Sequence, residues 1–467
     1  MSENRKRRKV SPVLKTAGSL ILIAVLLFLG TYAVRFCLGL FIDDRDYILS
    51  KPGETLPPAT EPMTDDPEIT PTESDVVTET GRATILATGD LMMHLPTVRS
   101  GRNGSEYNFD YIFSYIDDYV KAADYAVVNL ETTLSGTDGR SYTGYPKFNS
   151  PDAVAGAVKS SGFDLLLTAN NHCNDYGTYG IKRTLEVIKA ANLDTLGTYS
   201  TAEDQNYLMR ELNGLKVGIL NYTYGDIGDD PSRPSVNGLP TDSAAADLVN
   251  VFDYDKLDLF YTEVTNQIAA MKASGADAIV MFIHWGEEYS TRVNSTQKEM
   301  AQKLCELGVD VIAGSHPHVV QTMDLLTSAT DSTHQTLVLY SMGNFLSNQR
   351  ANNISLTTGE SEDSLLFTFT FVKYSDGTVV LESAGILPTW VLIRGSGDSR
   401  TYHILPLDYN LEDWKTAFDL SSGQAEDARK SYNRTMEIIG SDFNRIQEIL
   451  AQQRAVREPE LFESGVG

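Results

Sequence analysis

Seven short, apolar, β-rich runs recur along the middle of this chain. They are residues 84–88 (TILAT), 125–130 (YAVVNL), 164–168 (DLLLT), 217–222 (VGILNY), 278–283 (AIVMFI), 309–313 (VDVIA) and 336–340 (TLVLY). Runs this short and this continuously apolar suit strands buried on both faces. Amphipathic stretches at 109–123, 178–191, 257–274 and 296–307 lie between them. Such alternation predicts an α/β architecture. Beyond residue 352 the pattern changes. Residues 364–374 and 378–387 alternate and are joined by Ser375-Asp376-Gly377, a hairpin signal. Two strands are too few for a core of their own, so they are expected to complete a second sheet within the same domain. Residues 425–457 are polar and helix-prone, and no repeat of solenoid period is present.

A length of 467 residues allows one large or two medium domains. Residues 1–15 carry a basic cluster, and 16–34 form an uncharged run, TAGSLILIAVLLFLGTYAV. As a helix rising ~1.5 Å per residue, that run is about 28 Å long and matches a bilayer core. Asp43, Asp44 and Asp46 come after it. The positive-inside rule therefore predicts a single-pass protein with a cytoplasmic N-terminus and everything after residue 42 outside the cell. A cleaved signal peptide would show a shorter apolar region and a small-residue exit. A lipoprotein would need small residues before Cys37, which instead comes after Arg35 and Phe36. Residues 43–81 are rich in Pro, Thr and acidic side chains and read as a disordered stalk. The folded part is expected at 82–350, with 351–467 adding strands and a helical tail. A net charge of −25 argues against nucleic acid as a partner. Outside the N-terminal segment only Cys173 and Cys305 remain, expected as free thiols, with a single bridge as the alternative.

The polar residues at the end of each apolar run narrow the chemistry. TILATGD ends in Asp90, with His94 four residues on. YAVVNLE ends in Glu131, DLLLTANNH in Asn170, Asn171 and His172, AIVMFIH in His284, and VDVIAGSHPH in His316 and His318. Singly, each has a bland reading: a turn aspartate, a left-handed Asn pair, a core imidazole. Together they gather five of the seven histidines at the carboxyl ends of strands, where ligands of open α/β sheets collect. Pro317 limits the freedom of the loop between His316 and His318, and residues two apart in an extended loop tend to point the same way. One or two divalent ions are expected, and mixed imidazole and carboxylate donors favour Zn or Mn over Mg.

The ordered set GDLMMH, NLETTLSG, ANNHCNDYG, FIHWGEEY, GSHPHVVQ and YSMGNFLSNQ resembles the CapA family of bacterial capsule and poly-γ-glutamate synthesis proteins. That family is similar to calcineurin-like metallophosphatases. The resemblance implies a four-layer αββα sandwich with a two-metal centre at the sheet edges. It also implies a role in making, anchoring or exporting an anionic cell-surface polymer. By motif, Asp90 matches the first metal-binding aspartate, Glu131 stands in place of the bridging aspartate, and Asn171 matches the metal-binding asparagine. His172 matches the histidine that protonates a leaving group. His284 and His316 match ligands of the second metal, and His318 a ligand of the first. In two places the chain departs from the pattern: His94 comes four residues after Asp90 instead of two, and Glu131 is longer than the aspartate it replaces.

In this scheme two cations about 3.5–4 Å apart hold a hydroxide of lowered pKa, with His94 as an added candidate ligand. Asp175, three residues after His172, is placed to orient its ring. Asn170, Lys147, Trp285, Tyr289 and Asn344 are candidate substrate contacts. For Lys147, and for Arg140 near it, a solvated loop is the alternative, and for Trp285 and Tyr289 core packing. Gly343 suits a tight turn, and His334 and His403 fall outside the pattern. The functional expectation is a membrane-anchored, metal-dependent hydrolase or transferase acting on an anionic surface polymer. A non-catalytic polymer-binding or synthase-assembly factor and an extracellular phosphoesterase are the alternatives.

Overall fold

The computed structural model describes residues 77–228, 234–241, 248–408 and 413–457. The expected anchor and nearly all of the expected stalk lie outside these residues. Among the described residues no helix is long and apolar enough to cross a membrane.

Strands β1 (Glu79–Leu91), β2 (Tyr125–Leu130), β3 (Leu165–Leu167) and β4 (Asp194–Leu196) open the first sheet. Seven strands come next, in the second region: β5 (Leu208–Leu212), β6 (Leu215–Tyr224), β7 (Val251–Phe252), β8 (Ala278–His284), β9 (Val311–Ser315), β10 (Met323–Thr327) and β11 (Gln335–Leu339). The chain then returns through β12 (Asp363–Tyr374), β13 (Val379–Arg394) and β14 (Thr401–Pro406). The first sheet has the order β14-β13-β12-β1-β2-β3-β4. The second runs β7-β6-β8-β9-β11-β10, with β5 paired to β6. β1 to β4 are mutually parallel, as are β6, β8, β9 and β11.

Period-two alternation explains why the apolar runs are unbroken. Ala83, Ile85, Val127 and Leu165 point inward and meet Val217, Ile219, Val280, Phe282, Val311 and Ala313 of the facing sheet. The intervening residues point outward under helices. Leu86, Ala126, Val128 and Leu166 are covered by Phe109, Ile112, Val154 and Val158, while Ile279, Met281 and Ile312 are covered by Phe260, Val264, Met300 and Leu304. The central strands β2, β3, β8 and β9 are thus buried on both faces, and the four-layer αββα order results. Helix Ser295–Leu307 shows how local signals agree with this packing. Asn294 caps it in a capping box with Gln297, and Gly308, at φ 93°, ends it.

Three expectations need correction. The C-terminal strands complete the first sheet, not the second: β12 lies antiparallel beside β1, with Thr84 opposite Thr370. The free edge of β1 accepts it, and Phe367, Phe369 and Phe371 extend the inner face that Ile85 begins. Residues 109–123 form two short helices, Asp110–Phe113 and Asp117–Lys121, instead of one. The Ser114 hydroxyl bonds back to the Tyr111 carbonyl there, and the turn lets both Phe113 and Ile116 pack inward. β1 begins at Glu79, inside the expected stalk.

The C-terminal helix, Ser422–Arg457, binds both sheets. Arg434 pairs with Asp363 and Gln447 donates to the Ala384 carbonyl, both in the first sheet. Arg445 pairs with Asp324 and Gln453 donates to Gln335, both in the second. Cys173 and Cys305 are free and buried.

Candidate metal centre

The parallel strands of both sheets deliver their carboxyl ends to one place. Two glycines make the approach possible. Asp90 N–H donates to the Gly343 carbonyl at 2.9 Å, and a Cβ on Gly89 would collide with that same oxygen. Gly343 sits at φ 75°, the tight turn its sequence position suggested.

Asp90 is fully buried. Its Oδ1 accepts from Asn129 Nδ2 at 2.8 Å, and its Oδ2 accepts the His316 backbone N–H at 3.3 Å and lies 3.2 Å from His318 Nδ1. Glu131, directly after β2, is also fully buried, with Oε1 3.7 Å from His318 Nε2. His284 Nε2 lies 3.2 Å from Asn171 Oδ1 and 3.2 Å from His316 Nδ1. Behind it, Ser315 Oγ meets His284 Nδ1 at 2.9 Å, which fixes the ring's orientation. Asp90, Glu131, Asn171, His284, His316 and His318 are therefore brought together as the strand ends implied.

These groups sit uneasily without a cation. Glu131 Oε1 is buried with no hydrogen-bond partner. Burial, then the neighbouring Asp90 and Glu288 charges, push the Glu131 carboxyl well above the usual range. Burial and neighbouring imidazoles push His284 and His316 well below theirs. A divalent ion reverses both penalties at once, because it favours ionised carboxylates and neutral imidazoles. Asp90, Glu131 and His284 form one set of donors whose atoms lie within 4.8 Å of one another, and Glu288, His316 and His318 form another. The residues present fit a divalent ion.

His172 stands beside the cluster. Its Nδ1 lies 2.9 Å from Asp175 Oδ2, which also accepts the Phe148 N–H at 2.7 Å. The ring rests edge-on against Phe148 with centroids 4.6 Å apart. Asp175 thus orients His172, as its spacing suggested.

Several expected site residues have other work. The His94 ring packs on Phe148, and its Nδ1 accepts from the Asn348 N–H at 3.3 Å, so it is not among the grouped donors. Burial first, then His318 and His172, push its pKa down to about 4. Asn170 is buried and saturated: Nδ2 donates to Asn129 and to the Leu130 carbonyl, and Oδ1 accepts from the His172 N–H. It shapes the loop and offers nothing to a substrate. Trp285 is buried under the second sheet, where its indole N–H donates to the Tyr340 carbonyl at 2.9 Å. Asn344 is buried too. Its Oδ1 lies 3.1 Å from His318 Nδ1, so it steadies that ring instead of meeting a substrate. Lys147 is exposed and lines a hollow of about 470 Å³ with His94, Thr143, Tyr145 and Pro146. Tyr289 reaches the site, its ring 6.0 Å from that of His318.

Sequence reasoning missed Asn129, Ser315, Tyr224 and Glu288. Tyr224, at the end of β6, sets its ring 4.8 Å from that of His316. Its position at a strand end, in NYTYGD, was the available signal.

Fold and site together define a four-layer α/β sandwich that carries a candidate metal centre at the carboxyl ends of its strands. The chain belongs to the bacterial capsule synthesis protein PGA_cap family, whose profile matches residues 84–349. It is 29% identical over 285 residues to the capsule biosynthesis protein CapA of Bacillus anthracis, covering 58% of this chain and 61% of that protein. It is 27% identical over 246 residues to the PGA biosynthesis protein CapA of Bacillus subtilis (strain 168), covering 51% of this chain and 57% of that one. The match thus spans less than two thirds of either relative. Among solved structures, the Haemophilus influenzae NAD nucleotidase NadN aligns with a TM-score of 0.40 at 12% identity, over 83% of this chain and 68% of that one.

Proposed function

We propose that this protein is a membrane-anchored, metal-dependent hydrolase or transferase that acts outside the cell on capsule polymer, poly-γ-glutamate or its carrier. The observation that carries this reading is the buried His172–Asp175 pair set directly beside a cluster of side chains whose donors fit a divalent ion. Asp90, Glu131, Asn171, His284, His316 and His318 would hold one or two ions, with Zn or Mn suiting the donors. Such an ion supplies electrophilic activation of the scissile group and of water. His172 holds a proton at Nε2 for the departing group, and Asp175 stabilises the charged ring through Nδ1. Lys147, exposed in the hollow that His94 also lines, offers a cation to an acidic polymer. The basic residues 1–15 and the uncharged run 16–34 support the anchor, and membership in a capsule synthesis family supports polymer synthase subunits as partners.

The test incubates the metal-loaded full chain with poly-γ-glutamate, peptidoglycan fragments and phosphoesters, with chain length and free amine or phosphate as readouts. A substrate that changes with wild type and not with His172→Ala supports the reading. External protease on intact cells tests the topology: release of the folded domain by cutting between residues 51 and 80 is expected, and protection overturns it.

Complete burial of Asp90, Glu131 and His284 favours a second reading. In it, the ion is structural and the protein binds polymer or assembles the synthase without turnover. Unchanged substrates, together with loss of surface polymer on gene deletion, would select it.

A further inference from the structure

We propose that Glu288 is a further ligand to a divalent cation held by His316 and His318, closing the centre from its solvent side. The proposal rests on the metal-centre reading above. One carboxylate oxygen of Glu288 lies within 4.8 Å of a ring nitrogen of each histidine, and those two nitrogens lie within the same distance of each other. A carboxylate with two imidazoles is a complete donor face for a first-row divalent ion. Glu288 alone among these donors is exposed, while both imidazoles are buried.

The backbone holds Glu288 in place. Its neighbour Tyr289 donates its N–H to the Pro317 carbonyl at 2.7 Å, between the two histidines. Tyr289, His316 and His318 all have left-handed backbone, with φ of 62°, 96° and 58°. Side-chain-bearing residues adopt that region at a cost, and such outliers persist where the surroundings enforce them. A hydrogen-bonded circuit enforces these. Gln349 Nε2 donates to the Tyr289 hydroxyl at 3.0 Å, Asn344 Nδ2 donates to Gln349 Oε1 at 3.0 Å, and Asn344 Oδ1 lies 3.1 Å from His318 Nδ1. The segment bearing Glu288 and the histidine loop are therefore one unit.

Titration calorimetry of the metal-free full chain with Mn²⁺, and separately Zn²⁺, tests this. Glu288→Gln should weaken one ion about 10–100-fold, the scale found for groups that support a metal site. Glu288→Asp should recover part of that loss, and Glu287→Gln, at the adjacent exposed carboxylate, should bind as wild type does. Far-UV circular dichroism confirms that each variant is folded. Wild-type affinity and stoichiometry in Glu288→Gln, alongside loss of an ion in His316→Ala, would overturn the role of Glu288 alone. A wild-type chain that binds neither ion would overturn the metal centre with it.

Discussion

Asp175 Oδ2 receives two contacts at once, His172 Nδ1 at 2.9 Å and the Phe148 N–H at 2.7 Å. The second bond prevents the carboxylate from turning away, so the first fixes the imidazole. Asp175→Asn should lower turnover by about 10²-fold or more, the scale of a misaligned general acid. Metal content, measured by elemental analysis, should stay at the wild-type level. Loss of metal in this variant would move Asp175 from positioning to metal binding.

His316→Ala and His318→Ala should each reduce bound metal and abolish turnover, since each removes a buried ring nitrogen from the donor cluster. His334→Ala is the control. That ring contacts the Val309 carbonyl at the opposite end of β9, away from the histidine loop.

Removing the metal should destabilise the fold. Without it, Glu131 Oε1 stays buried and unsatisfied. At an ion concentration about 100 times Kd, linkage contributes about 2.7 kcal/mol. A chelator should therefore lower Tm by several degrees, and readdition of Zn²⁺ or Mn²⁺ should restore it. An unchanged Tm would mean that no ion is bound.

Asp194 in the first sheet and Arg210 in the second join the two sheets near their edges, Arg210 Nε donating at 2.7 Å and the Tyr125 hydroxyl at 2.6 Å. Burial acts to raise the Asp194 carboxyl, but the bonds from Arg210 and Tyr125 outweigh it and hold it below its ordinary range. A depressed folded pKa stabilises at pH above the unfolded value, about 3.9, and that stability is lost as pH falls through the folded value. Asp194→Asn should cost about 1 kcal/mol at neutral pH, a modest figure because solvent screens the half-exposed pair. Thermal melts from pH 7 to pH 3 should show the gap to wild type closing at the acid end.

Much of this was legible in the sequence for one physical reason. A strand covered on both faces must be apolar throughout, so the residue where polarity resumes marks its end. That is how Asp90, Glu131, Asn171, His284 and His316 could be placed without coordinates. The logic fails where a side chain's direction matters more than its position. Trp285 comes directly after His284 yet packs with Ile279, Met281 and Ile283 in the outer layer, because the alternation of β8 runs on past its last residue. Asn344 is in the right place but faces a histidine. Glu288 was invisible because it sits beyond a strand end, next to another exposed glutamate, and is aimed only by the turned backbone at Tyr289. Strand order was equally hidden, since alternation in β12 says which face is apolar and nothing about which neighbour it takes.

The family profile ends at residue 349, whereas the sandwich does not. β12 seals the side of β1 that would otherwise lie bare, and the helix Ser422–Arg457 laces the two sheets together. A fragment cut to the shared segment would leave the strand bearing Asp90 as a naked edge, open to pairing with other chains. The segment that the profile matches is smaller than the segment that must fold together. The shared chemistry occupies the middle of the chain, and the strands and helix beyond it keep its edge closed.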